Sequence, residues 1–504
     1  MLRGFSRRAF LGGAVSAVAG VAFAEAPTVS PRPGQRPEAL GGAAPRLAAL
    51  AAPSAEDLIA EARLGGEVSF AVADARTGVV LESHGADLGL PPASVTKAVT
   101  ALYGLSTLGP DFRFRTQLVA TGPVQAGKVQ GDLILVGTGD PLLDTDALSA
   151  MVARLKAAGV SGVTGGFRVF AGMLPYMREI DPEQPDHVGY NPAVSGVNLN
   201  FNRVHFEWKR ATNGWAVAMD ARSDTLRPAV SMAKMSVVSR DLPTYTYREA
   251  QGGVDEWTVA STALGNAGSR WLPVRRPDLY AGEVMQVLAA AQGIRLPKIE
   301  AIAAMPSGTV LVQHESAPLS AIVREMLKYS TNLTAEVIGL TASATRGVPV
   351  TRLDASAQAM NDWMQDGFGA AGARFVDHSG LGGGSRISAA DMVRMLIKAG
   401  PGGVLHGHLK EVVPQDEEGK TLSDARYSIQ AKTGTLNFVS TLAGYVTGAD
   451  GALLAFAIFT GDTARRARIA PEDMERPDGA RAWSRRSRLL QHRLINRWAG
   501  LYGV

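Results

Sequence analysis

The strongest β-strand signals in this chain of 504 residues lie near its two ends. Residues 67–85, "EVSFAVADARTGVVLESHG", give two β-like runs about the turn "DARTG", a hairpin. Residues 427–462, "YSIQAKTGTLNFVSTLAGYVTGADGALLAFAIFTGD", read as three successive strands with turns at "KTG" and "GADG". The chain then closes on "RAWSRRSRLLQHRLINRWAGLYG", where Trp483, Leu490, Leu494, Trp498 and Leu501 share one helix face. Strands so far apart, flanked by helices, predict one sheet assembled from distant segments. The fold class is α/β (α+β), and whatever lies between the two ends must leave that sheet and return to it.

The intervening sequence changes texture. Between about 110 and 295, short strand-like pieces such as "GDLILVG", "GGFRVFAG", "VNLNFNRVHFEW" and "EWTVAST" are separated by Pro- and Gly-containing turns, as expected of inserted β-rich domains. From "SAPLSAIVREMLKYSTNLTAEVIGLTASAT" through "SAADMVRMLIKAG" the spacing becomes helical again. At roughly 150 residues per domain, two or three domains are expected. Cysteine is absent, so disulfides, a thiolate nucleophile and cysteine metal sites are excluded, and stability must come from apolar burial.

The first residues, "MLRGFSRRAFLGGAVSAVAGVAFAEAP", combine a basic start, an apolar run too short to span a bilayer, and small residues Ala22 and Ala24 before Glu25. They predict a signal peptide over 1–24, with Arg7 and Arg8 forming a twin-arginine pair. The expected location is therefore periplasmic. A Pro/Ala-rich leader follows over 25–54, with order beginning near Ser54. Beyond the signal no apolar run approaches the ~20 residues of a transmembrane helix. The net charge of +4 includes Arg3, Arg7 and Arg8, whose removal leaves +1, so nucleic acid is not an expected partner. Arg485, Arg486, Arg488, Arg493 and Arg497 give the last helix a basic face, either solvated or in peripheral contact with anionic lipid or polymer.

Chemistry enters with "LPPASVTKAVTALYGL". Val95, Val99, Leu102 and Leu105 recur at helical spacing, which places Ser94 and Lys97 on one face near the first turn of a helix. That pair suits a nucleophile and its base, although a helix start beside a solvated lysine would look the same. A His-based triad finds no support, because none of the eight histidines sits in a context that nominates it and G-x-S-x-G is absent around Ser94. His406 and His408 in "LHGHLK" have no carboxylate or third histidine at ligand spacing, so no metal and no cofactor is expected. "VGTGDP" lacks the Lys-Ser/Thr of a phosphate loop and reads as a turn.

Two other stretches supply what Ser94 and Lys97 need. "KYSTNLTAE" carries Ser330 and Asn332, and "QAKTGTLNF" carries Lys432, Thr433, Gly434 and Thr435 on a strand edge where glycine allows close approach. Each motif alone is weak. In the order S-x-x-K, S-x-N, K-T-G they form a specific set.

With these motifs the sequence resembles the penicillin-binding serine peptidases, specifically the D-alanyl-D-alanine carboxypeptidase/endopeptidase class with a large insertion after the S-x-x-K helix. "LGPDFRFRT", "GDLILVGTGDPLL", "NLNFNRV" and "AKTGTLNFVSTLAGYV" also look like that class, and the 235 positions between Lys97 and Asn332 suit its insertion. The resemblance implies a transpeptidase/β-lactamase-like domain over 55–110 plus 296–504, an inserted domain over 111–195 plus 269–295, and a nested β-rich domain over 196–268. It implies peptidoglycan stem peptides as substrate and β-lactams as covalent inhibitors. It further implies Ser94 as nucleophile, Lys97 as its base, Ser330 as proton relay, and Asn332 holding Lys97 and the substrate amide. Lys432 would lower the Lys97 pKa, while Thr433 and Thr435 bind the substrate carboxylate.

The match departs from the class in three places. Thr331 stands where the class has Asp at the centre of S-x-N. Gly382 and Gly383 replace a Ser-Arg pair in "DHSGLGGGSRIS", leaving Arg386 as the candidate stem-peptide contact. Asp186 in "PEQPDHVGYNP" falls where the class has an acid facing the substrate's amino side chain. The rival readings are a non-catalytic peptidoglycan-binding scaffold and a β-lactamase or esterase on the same fold.

Overall fold

A computed structural model describes residues 53–503. The expected signal, and the leader as far as residue 52, lie outside the described residues. Ser54 opens the ordered chain as the N-cap of the helix Ala55–Ala62, its Oγ accepting from the Asp57 N–H in a capping box.

The end segments form one antiparallel sheet. Its six strands run in the order Lys410–Glu411, Tyr427–Leu436, Val439–Gly448, Leu453–Gly461, Glu67–Asp74, Val80–His84. Glu67–Asp74 pairs antiparallel with Leu453–Gly461 and ties the first ordered strand to the last. Period-two alternation sorts the side chains onto two faces. Phe70, Val72, Leu454, Phe456 and Ile458 pack with Trp483, Leu490, Leu494 and Trp498 of the closing helix Ala480–Tyr502. Ala71, Ala73, Ala455, Ala457 and Phe459 join the second core, with the helices Thr96–Leu108, Asn332–Thr345 and Ala389–Ala399. Every residue of Leu453–Gly461 is buried, as expected of a strand covered on both faces.

The inserted material has its own core. A five-stranded sheet runs Ile299–Ile302, Phe167–Phe170, Leu133–Gly137, Arg115–Ala120, Thr309–Glu315, and two three-stranded sheets lie within residues 203–273. The pairing of Ile299–Ile302 with Phe167–Phe170 and of Thr309–Glu315 with Arg115–Ala120 places residues 299–315 with the insertion, a later return than the boundary at 296. Likewise Ala267–Pro273 pairs with Arg203–Ala211, so the nested portion runs past 268. One cluster, including Leu135, Phe206, Trp257 and Tyr280, joins the sheets of the insertion.

Two local expectations change. Ser94 lies in a 3₁₀ turn, Ala93–Val95, ahead of the α-helix Thr96–Leu108. "KTG" is not a turn: Lys432, Thr433 and Gly434 lie inside Tyr427–Leu436, and the chain reverses at Asn437 and Phe438, the latter at φ 57°. No helix among the described residues is long and apolar enough to cross a membrane.

Candidate active site

Local backbone conformation sets the nucleophile turn. Ala93 takes φ 46°, and its carbonyl packs against Gly380, itself at φ 74°, so closely that a Cβ on Gly380 would lie 1.9 Å from Ala93 O. On the other side Thr441 Oγ1 donates to Pro92 O at 2.7 Å, and a Cβ on Gly434 would lie 2.9 Å from Ser94 N. The turn is thus gripped between the sheet and the loop after the helix Leu353–Phe368.

The helix that follows buries Lys97 completely. Its Nζ lies 3.0 Å from Ser94 Oγ, 2.7 Å from Asn332 Oδ1 and 2.7 Å from Ser379 O. A neutral amine satisfies all three contacts if its two N–H groups donate to Asn332 and Ser379 and its lone pair accepts the Ser94 hydroxyl proton. Burial favours that form, lowering the Lys97 pKa to about 8, while Asp377 and Glu336 oppose the shift. Those two buried carboxylates hold the loop that carries Ser379 O: Glu336 accepts from the His378 and Ser379 N–H groups, and Asp377 from those of Gly380 and Gly382. Both are pushed upward from ordinary carboxylate values by burial.

Ser330 ends the helix Leu319–Tyr329 in the left-handed region, φ 59° and ψ 39°, and Asn332 begins the next helix. Lys432 Nζ donates to Ser330 Oγ at 3.0 Å and to Thr433 O at 2.7 Å. Burial, then Lys97, then Lys410 lower the Lys432 pKa well below its ordinary value. Asn332 Nδ2 donates to Tyr190 O at 2.9 Å, bringing a loop of the insertion to the site.

These groups open on a cleft of about 660 Å³ whose lining includes Ser94, Ser330, Asn332 and Thr435. The structure therefore brings together Ser94, Lys97, Ser330, Asn332, Lys432, Thr433, Gly434 and Thr435. It does not bring Asp186 or Arg386 into the cleft. Asp186 borders a neighbouring cavity, its carboxylate 3.1 Å from Arg178 and 3.8 Å from Arg275. Arg386 donates to Gly383 O and Ser385 O, a local loop contact. The arginines that do line the cleft are Arg466, Arg481, Arg485 and Arg488, and Arg466 Nη2 lies 3.9 Å from where a Gly383 Cβ would stand, beside the stretch that carries the two glycines. Sequence reasoning also missed Glu336 and Asp377, each a single acid whose acceptor role emerges only when the loop folds back onto it.

Comparison with known proteins agrees with this geometry. A D-alanyl-D-alanine carboxypeptidase from Actinomadura sp. (strain R39) is 29% identical over 454 residues, covering 83% of this chain and 81% of that one. The D-alanyl-D-alanine carboxypeptidase DacB of Haemophilus influenzae is 24% identical over 441 residues, covering 82% and 90%. The crystal structure of penicillin binding protein 4 from Haemophilus influenzae superposes with a TM-score of 0.70 at 19% identity, over 88% of this chain and 99% of that one, and so shares the fold. The family model of the D-Ala-D-Ala carboxypeptidase 3 (S13) enzymes matches residues 51–476. The chain belongs to that family, and with it to the penicillin-binding serine peptidases.

Proposed function

We propose that this enzyme hydrolyses the terminal D-Ala-D-Ala bond, or a D-Ala cross-link, of peptidoglycan stem peptides through an acyl-enzyme on Ser94. The observation that carries the reading is Lys97 Nζ, buried, within hydrogen-bonding distance of Ser94 Oγ, Asn332 Oδ1 and Ser379 O. Neutral Lys97 takes the Ser94 proton as Oγ attacks the carbonyl of the penultimate D-Ala. Ser330, bonded to Lys432, passes a proton to the leaving amine. The N–H groups of Ser94 and Thr435 stabilise the oxyanion, a contribution of about 3 kcal/mol per donor. Thr433 and Thr435 bind the leaving carboxylate, and water releases the acyl group.

Among the described residues lining the cleft, the single carboxylate is Glu475, engaged by His187 at 2.8 Å and Arg270 at 3.0 Å. That supports slow hydrolysis of a β-lactam acyl-enzyme, and a peptidase over a β-lactamase. The full set of motif residues in contact supports catalysis over a scaffold role. We also infer three-part organisation: a catalytic portion around the six-stranded sheet, an insertion around the five-stranded sheet, and a nested β-rich part. Export to the periplasm by the twin-arginine route is supported by Arg7 and Arg8 before the apolar run.

The test is release of D-alanine from a synthetic stem pentapeptide. Wild type should release it and Ser94→Ala should not; equal release by both would refute the assignment.

A further inference from the structure

Asn332 has a partner from outside the catalytic portion. Its amide presents two chemically opposite ends: Oδ1 accepts from Lys97 Nζ at 2.7 Å, and Nδ2 donates to Tyr190 O at 2.9 Å. Rotating that amide by half a turn would set its NH₂ against the Lys97 N–H groups and its carbonyl against the Tyr190 carbonyl, donor facing donor and acceptor facing acceptor. The Tyr190 carbonyl therefore helps to decide which atom of Asn332 meets Lys97.

That carbonyl is aimed by the loop around it. The N–H of the Tyr190–Asn191 peptide donates to Val188 O at 3.0 Å. In a trans peptide the C=O points opposite to the N–H, so Tyr190 O is turned outward, toward the site. Paired backbone bonds between Met177 and Val194, both 2.9 Å, close the base of the loop, and two buried side chains fill it. The first is Asn191, whose Oδ1 accepts from the Ile180 and Asp181 N–H groups and whose Nδ2 donates to Asp181 O. The second, Arg275, comes from elsewhere in the insertion, where the strand Ala267–Pro273 gives way to the helix Pro277–Ala291.

Arg275 is 1% exposed. Its Nη1 donates to Arg178 O at 2.9 Å and Asn191 O at 3.0 Å, and its Nη2 donates to Asp186 O at 2.8 Å. All three acceptors are carbonyls of residues 178–191, spread from the start of the loop to the residue after Tyr190. Its ion-pair partners among the described residues, Glu179 at 3.5 Å and Asp186 at 3.8 Å, stand on the same loop. Burial of a guanidinium demands such partners, and here one loop supplies them. The Arg275 backbone is held from behind, its N–H donating at 2.9 Å to Oδ2 of Asp255, a buried acid on the strand Val254–Ala260 of the nested part. A chain of bonds thus runs from the nested part through Arg275 and the 178–191 loop to Asn332 and Lys97.

We propose that Arg275 is a positioning residue of the reaction: by fixing the 178–191 loop it holds the Tyr190 carbonyl on Asn332, and so keeps Asn332 Oδ1 turned to Lys97. The insertion then serves the chemistry itself, as the far support of the amine that activates Ser94. This rests on Lys97 as that base. Lysine is no substitute for Arg275, because a single ammonium lacks the planar fork that reaches three carbonyls at once.

The experiment measures the acylation rate per acylatable Ser94, by rapid quench and intact mass, with benzylpenicillin and with the unacylated penicillin nucleus, which has no side chain to contact the loop. Arg275→Lys and Arg275→Gln should each lower that rate about 10- to 100-fold, and equally for both compounds. In an Asn332→Ala background Arg275→Lys should cost less than about twofold more, because the residue through which it acts is gone. A purely structural role would instead leave fewer acylatable molecules, each reacting at the wild-type rate. That outcome, a loss confined to benzylpenicillin, or equal losses with and without Asn332 would overturn the proposal. Should neither Arg275 variant fold, Asn191→Ala frees the same loop from within and must show the same rate loss and the same dependence on Asn332; a wild-type rate there overturns the proposal equally. Wild type that is not acylated, or Lys97→Ala acylated at the wild-type rate, overturns the catalytic reading beneath it.

Discussion

If Lys97 acts as a neutral base, the acylation rate of Ser94 must follow its deprotonation. Lysine is charged when protonated, so burial disfavours the protonated form and lowers its pKa, here from 10.5 to about 8. At pH 7 about a tenth of the molecules then hold Lys97 neutral, against roughly one in 3,000 for an unperturbed lysine, a gain of about 300-fold in competent enzyme. The rate should rise nearly tenfold per pH unit below 8 and flatten above it, so that pH 9 exceeds pH 6 by about 100-fold. Stopped-flow acylation by a fluorescent penicillin at sub-saturating concentration measures this, with circular dichroism establishing that the fold persists across the range. Glu336→Gln bears on the sign. Glu336 raises the Lys97 pKa only where it is ionised, and burial pushes its own pKa up to about 8, so its neutralisation should move the inflection to lower pH by the part that ionised Glu336 contributes near pH 8 and above. A rate independent of pH between 6 and 9, or one still climbing through pH 10, would refute Lys97 as the neutral base.

Two further substitutions separate site geometry from fold stability. Gly434→Ala would place a Cβ 2.2 Å from Thr441 Oγ1 and 2.7 Å from Pro92 O, pushing the strand off the nucleophile turn; penicillin acylation should fall about 100-fold or more. Trp498→Ala removes a fully buried indole that packs on Phe70 and Phe456 and donates to Glu82 Oε2 at 3.0 Å; urea unfolding should show a loss of about 3–5 kcal/mol.

Part of this protein was readable in the sequence because it rests on local rules. The β-like runs in residues 67–74 and 453–461 announced strands, and the three motifs announced the site. What failed depended on partners distant in the chain. Gly434 read both as part of a turn and as a strand-edge glycine admitting substrate, yet its absent side chain also serves clearance against Pro92 O, more than 300 residues earlier. Asp186 looked available in its loop, but Arg178 and Arg275 claim its carboxylate. Arg386 sits in the expected stretch and turns to its own loop carbonyls, while Arg466, from after the last strand, reaches Gly383. The boundary at 296 missed the return of residues 299–315 because a strand's sheet partner is not written in its own composition.

The central claim is that Ser94 is the acylated nucleophile. Intact-protein mass after incubation with a β-lactam, wild type against Ser94→Ala, tests it directly. The account predicts a stoichiometric covalent adduct on the wild type and none on the variant; no adduct on folded wild type, or the same adduct on both, would contradict it.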